Sequence, residues 1–259
     1  MSRFLGLVRH EFGMSVRRPG LWIAYGLLSL FYGIVFFTPS PGGDVFVIPR
    51  DEIWVYAGQV IMMINMLFPL AGGILAADRM QRDFRLGVRE LQDSTPLGRT
   101  AYILGKYLGV LASVLLPMLA WTILIGLLSI PLAQAPIGFL GTLLLAFLAA
   151  SVPACAFVVA FSLACPLVMP LRLYQILFTG YWFWANYLSP NVFPTLNGTL
   201  LTPNGEFVAE AFFGSFMSSP DEVLATPVQA WANLLVLGLC ILAALTVLNL
   251  HLARQARRA

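Results

Sequence analysis

Apolar residues run along this chain in long blocks rather than in alternation. A helix needs about 20 apolar residues to cross the hydrocarbon core of a bilayer. Six blocks approach or exceed that length, at roughly 21–38, 54–77, 103–130, 137–165, 171–187 and 229–250. The fifth is the shortest. The third and fourth are joined by the short stretch "PLAQAPI", and the fourth and fifth by a few residues around Pro166 and Pro170. A long gap, 188–228, separates the last two. The pattern predicts an all-α integral membrane protein with six transmembrane helices. Pro69, Pro117 and Pro153 are expected to kink spans two, three and four.

The span interiors carry no ionisable side chain, with Asp78, Arg172 and His251 at their edges. Proton- and ion-coupled carriers usually keep such groups at membrane depth, and intramembrane enzymes need acid, base or metal ligands. Mild polar residues such as Asn65, Thr122, Gln175 and Asn233 remain. They read as helix-packing groups, as do small-residue faces such as Gly105-x-x-x-Gly109.

Outside the spans the pattern changes. In residues 1–20, Phe4, Leu5, Val8, Phe12 and Val16 share one helical face, with Arg3, His10 and Arg17 on the other. This predicts an amphipathic helix lying at the membrane interface. Residues 78–100 form a charged loop, and residues 188–228 a segment on the opposite side.

Composition sharpens the class. Charged residues make up 10% of the chain and hydrophobic ones 59%, against about 25% charged in an ordinary soluble domain. No soluble stretch is long enough for a second core, so residues 1–259 read as a single transmembrane domain. Of the 15 Lys and Arg residues, all but Arg50 fall on one side of a six-span topology. The positive-inside rule makes that side cytoplasmic and puts both termini there. The net charge of +3 is dispersed along membrane-flanking segments, which argues against nucleic acid as a partner. Tyr181, Trp182, Phe183, Trp184 and Tyr187 are expected as an aromatic belt at the outer end of span five. Trp22 and Tyr25 fall near the inner end of span one, and Trp54 and Tyr56 near the outer end of span two. Cys155, Cys165 and Cys240 lie in apolar runs without metal-ligand spacing and read as small hydrophobes.

The charge that exists is concentrated. The window 78–106, "DRMQRDFRLGVRELQDSTPLGRTAYILGK", holds Asp78, Arg79, Arg82, Asp83, Arg85, Arg89, Glu90, Asp93, Arg99 and Lys106. Asp78–Arg82, Arg79–Asp83 and Arg89–Asp93 are opposite charges at i,i+4, each worth about 0.2–0.5 kcal/mol to a helix. Phe84, Val88 and Leu91 form a narrow apolar stripe. Thr95 and Pro96 suit the N-cap and first position of a further helix. Three apolar anchors framed by charge fit a groove on a soluble partner. The chain lacks a phosphate-binding loop of its own. The pair Gly105-Lys106 has Thr100 where the upstream glycine belongs, and Tyr107 where Ser or Thr belongs. Any ATP chemistry must come from another polypeptide.

These features together resemble the permease subunits of ABC transporters of the type-2 exporter class. The amphipathic leader, the six spans, the charged loop after span two and the long outer segment match in topology. The stretch "RDFRLGVRELQDSTPLGRTAYILGKYLG" (82–109) is similar in motif, through Gly87, Glu90, Leu91, Pro96, Arg99, Gly105 and Lys106. Val88 departs from it, standing where many relatives carry a small hydroxyl residue.

The resemblance implies a coupling helix at 84–93 that docks in a cleft of an ATP-binding subunit. Phe84, Arg85, Gly87, Val88, Arg89, Glu90, Leu91 and Asp93 would be its contacts. It further implies that ATP and Mg are bound by that partner, with no cofactor and no catalytic site in this chain. The permease would pair with a second copy or a sister permease in the lipid bilayer of a bacterial cytoplasmic membrane. Neither the residues nor the resemblance assigns a substrate or a substrate-binding residue. The alternatives are an ion-gradient-driven carrier and a membrane scaffold of an envelope complex.

Overall fold

The computed structural model describes residues 2–38, 47–85, 98–190, 192–216 and 224–256. All the regular structure among them is helical. The helices are α1 (Ser2–Val16), α2 (Pro19–Phe37), α3 (Ile53–Ala76), α4 (Asp78–Arg85), α5 (Arg99–Leu132), α6 (Gly138–Ala146), α7 (Val152–Ala164), α8 (Leu171–Asn186), α9 (Glu206–Phe213) and α10 (Pro227–Ala256).

Among the described residues, five helices are long and apolar enough to cross a membrane: Pro19–Phe37, Ile53–Asp83, Arg99–Leu132, Gly138–Leu167 and Pro227–Gln255. These suggest a multi-pass membrane protein. The fifth apolar block forms α8, which has 16 residues, about 24 Å at 1.5 Å per residue. That is shorter than the roughly 30 Å hydrocarbon core. Long helices are the physical outcome expected of apolar runs in lipid, where each peptide group must find its partner within the segment.

The core is built around α3, α5 and α7. Phe68, Ile61, Ile64, Met118, Ile125, Val159 and Ala160 pack there with essentially no exposure. By contrast, α2 and α10 turn apolar rows outward, including Ile23, Leu27, Leu30 and Ile34 on α2, and Val228, Trp231, Leu235, Leu239 and Leu242 on α10.

Pro69 and Pro117 lie inside α3 and α5. Pro153 acts differently. Just before it the chain widens into a π-helical turn, Phe147–Ser151, and the amide of Val152 reaches back to the carbonyl of Phe147. A proline has no N–H to continue the α-helical ladder, and such a turn absorbs the change of register. Cys155 is buried, its Sγ 3.7 Å from Met118 Sδ, while Cys165 and Cys240 are partly buried.

Two of the expected belt aromatics face inward. Trp182 is fully buried and donates from Nε1 to the Met66 carbonyl at 2.8 Å. The Tyr25 hydroxyl donates to the Phe68 carbonyl at 3.2 Å. Trp22 and Trp54 are exposed.

A polar node anchors the segment before α9. Asn65 donates from Nδ2 to the Asn204 carbonyl at 2.8 Å and accepts from the Ser151 hydroxyl at 2.7 Å. Next to it, Gly205 has φ +87°, and a Cβ there would come 2.8 Å from Ala150 Cβ and 3.0 Å from Asn65 Nδ2. Asn204 Oδ1 accepts from the Glu206 amide at 2.9 Å, in a turn that leads through Gly205 into α9. Phe207, Val208, Ala209 and Phe213 of α9 are buried, against α3 and α10. The apolar stretch 206–216 therefore dips into the bundle. Replacing Asn65 with leucine is expected to destabilise the chain by about 2 kcal/mol or more, because two buried groups lose their partner. Thermal unfolding in neutral detergent reads this, and a loss under about 0.5 kcal/mol would show the node to be open to water.

Candidate functional site

The described part of the charged window gathers at one end of the bundle, where α1, α4 and the start of α5 meet. α3 passes into α4 through Ala77 alone, whose amide still bonds back to the Gly73 carbonyl. The two helices therefore form one rod. α5 has 34 residues, about 51 Å by helical rise. It overshoots a hydrocarbon core by several turns, and its first turns carry Arg99, Tyr102 and Lys106.

α1 lies along these turns, and two glycines make the approach possible. A Cβ on Gly105 would come 2.7 Å from Leu7 Cδ2. One on Gly109 would come 2.6 Å from Glu11 Cβ and 2.9 Å from the Val8 carbonyl oxygen. The small-residue pair is thus a packing face, and its partner is α1. The inward face of α1 carries Phe4, Leu7, Val8, Glu11 and Ser15, while Leu5 points outward.

At the centre of this contact is an ionic cluster. Lys106 is 1% exposed. Its Nζ lies 2.7 Å from Glu11 Oε1 and 2.7 Å from Asp83 Oδ2, and 5.6 Å from the centre of the Tyr102 ring. The Tyr102 hydroxyl donates to Asp83. One turn away, Arg18 holds Asp78 in a two-pronged pair, Nη1 lying 2.8 Å from each carboxylate oxygen. Gln81 donates its side-chain amide to the carbonyls of Pro166 and Met169. That ties α4 to the connector between α7 and α8.

Asp78 and Asp83 thus take partners on other elements, rather than Arg82 and Arg79 on their own helix. An exposed i,i+4 pair is worth only a few tenths of a kcal/mol. A desolvated, hydrogen-bonded pair gains far more from each contact it keeps. A cavity of about 420 Å³ opens beside the cluster, lined among others by His10, Glu11, Arg17, Arg82, Asp83 and Lys106.

The residues expected to contact a soluble partner are placed only in part. Phe84 and Arg85 close α4. Gly87, Val88, Arg89, Glu90, Leu91 and Asp93 lie outside the described residues. The structure does show what grips both ends of that loop. Asp83, just before it, and Tyr102 and Lys106, just after it, meet in one buried cluster with Glu11 of α1. Sequence reasoning missed Glu11, because a carboxylate on an amphipathic helix reads as solvent-facing. The one available signal was Lys106, a cation in the first turn, at the edge, of the span predicted from 103 to 130.

A separate apolar cavity of about 320 Å³ lies between α7, α8 and α10, bordered by Phe157, Phe161, Tyr174, Phe178, Tyr181 and Cys240. Comparison of the chain with protein-family models and with curated proteins found no match.

Proposed function

We propose that this chain is the membrane-spanning permease subunit of an ATP-driven exporter of the ABC type-2 class. Its ATP would be hydrolysed, with Mg, on a separate nucleotide-binding subunit. In this reading the chain has six spans, α8 being the fifth. Both termini and the 78–100 loop are cytoplasmic, α1 lies at the inner leaflet of a bacterial cytoplasmic membrane, and residues 84–93 form the coupling helix. Two permeases, identical or sister chains, complete the pathway.

The observation that best supports this is the buried Glu11–Lys106–Asp83 cluster. A loop that only connects two spans has no need of a shared ionic anchor at its two ends. A loop that receives a push does. Force applied at 84–93 would reach α3 through the α4 rod, α5 through Lys106, and α1 through Glu11. Packed helices held by discrete contacts switch between arrangements rather than deforming continuously. ATP-driven closure of the partner would then bias the spans between two packings.

The test is a gentle detergent purification of the tagged full chain from its native host, with mass spectrometry of what accompanies it. A soluble ATP-binding subunit is expected to copurify. It should be lost when Phe84, Val88 and Leu91 are changed together to serine, while the bundle still elutes as a folded species. A chain that arrives alone, with or without these substitutions, would overturn the reading.

A further inference from the structure

A second cavity, of about 360 Å³, adjoins the one beside the ionic cluster and shares Arg18, Pro19, Arg79 and Arg82 with it. Its lining is divided by chemistry. One part is Ser15, Arg18, Arg79 and Arg82, and the other is Leu21, Leu75, Val110 and Val114. No carboxylate lines it. Glu11 and Asp83 border the neighbouring cavity and each gives one oxygen to Lys106, and Asp78 pairs with Arg18.

Three polar groups here have donors left without a hydrogen bond among the described residues. Arg79 is 7% exposed and makes no close ion pair or hydrogen bond among the described residues, although the Asp78 and Glu11 carboxylates act on it through space. The Ser15 hydroxyl and the second terminal nitrogen of Arg18, Nη2, are buried without a hydrogen bond. Burying a guanidinium that makes no hydrogen bond is costly, and an anion in the cavity would lower that cost. Three guanidinium groups and a hydroxyl around one space offer the donors that a phosphate group accepts.

We propose that this cavity binds a phosphoryl group, and that its source is the headgroup of an anionic membrane lipid. The arginines and Ser15 would hold the phosphate, and the apolar part of the lining would take the start of the acyl chains. Basic pockets between membrane helices are suited to such headgroups. A free phosphate offers the same anion but makes no use of the apolar lining. This inference rests on the membrane reading of the chain and not on the ATP-binding partner.

The test uses the purified full chain in neutral detergent, with phosphatidylglycerol and phosphatidylcholine offered in equal amounts. Native mass spectrometry reads the lipid retained, and thermal unfolding reads stability. Retention of phosphatidylglycerol over phosphatidylcholine is expected, with a raised Tm. Arg79→Gln should weaken phosphatidylglycerol retention roughly five- to tenfold. Without lipid, the same variant should unfold at a higher temperature than the parent, because a desolvated charge crowded by Arg18 has been removed. Arg172→Gln, at an exposed arginine of α8, should change neither reading.

Equal retention of the two lipids would overturn the proposal. So would an Arg79→Gln chain that keeps phosphatidylglycerol as the parent does, or one that is less stable without lipid. Inorganic phosphate alone is the remaining arm. If millimolar phosphate displaces the lipid and raises Tm as much, the phosphoryl site stands and its lipid source is overturned.

Discussion

Replacing Lys106 with methionine is expected to cost about 3–5 kcal/mol of stability, the usual penalty for removing one partner of a buried ion pair. The length of the side chain is kept and only the charge goes. Glu11 is left buried beside an apolar side chain, with one oxygen, Oε2, that already lacks a partner. Asp83 keeps the Tyr102 hydroxyl and loses its cation. Thermal or denaturant unfolding in neutral detergent measures the loss. The sharper signature comes from adding Glu11→Leu and Asp83→Asn to the same chain. With no uncompensated charge left, most of the stability should return, because a buried charged triad replaced as a unit is often neutral to stability. A lysine that could be exchanged alone for less than about 1 kcal/mol would mean that water reaches the cluster. If the single substitution is costly and the triple is not, the cluster is a device for alignment rather than for stability. If the chain is a permease as proposed, the triple variant, folded but with its loop no longer tied to α1, is the one in which partner binding and transport should separate.

How much of this was legible in the sequence depends on the distance between partners. The long apolar helices were legible because a run of some 20 apolar residues is a local property, and α2 and α3 begin and end within two residues of their predicted limits, whereas the fifth block formed a helix of only 16 residues. The π-helical turn before Pro153 was half legible: the proline announces a break in the ladder, but not how the helix accommodates it. The ionic cluster was not legible, since Glu11 and Lys106 are 95 residues apart. A wheel drawn on α1 alone puts Glu11 beside Phe4 at the edge of the apolar face, but it cannot name the partner. The same limit hid the Asn65 node, whose partners Ser151 and Asn204 are 86 and 139 residues away. Trp182 and Tyr25 show the reverse error. Their type and position near a span end suit a lipid headgroup belt, yet each has its polar atom bonded to a carbonyl of α3 inside the bundle. Position along a span does not say which way a side chain faces.

Gly109→Val is expected to be the more disruptive of two substitutions in one small-residue pair, with Gly105→Ala as its mild counterpart. At Gly105 a new methyl meets the end of the Leu7 side chain, at 2.7 Å, and Leu7 can change rotamer. At Gly109 the obstacles include backbone, with the Val8 carbonyl oxygen at 2.9 Å and the Phe12 nitrogen at 3.1 Å. No rotamer relieves a clash with main chain, so α1 must move off α5 as a body. Overpacking of this kind costs about 1–3 kcal/mol, and a branched side chain belongs at the upper end. The displacement also pulls Glu11 from Lys106, so the packing loss and the ion-pair loss are coupled and should not simply add. Hydrogen exchange is the measurement. In Gly109→Val, amides of residues 4–16 should exchange much faster, while those of α3 and α7 in the core stay protected. In Gly105→Ala they should stay close to the parent. Gly238→Ala on α10, where a methyl meets nothing within 4 Å, is the control for a helical glycine as such. Equal exchange in the Gly109 and Gly105 variants would mean that α1 is held by its charges alone. Selective release of α1 would mean that the glycine pair sets the distance at which Glu11 and Lys106 can meet.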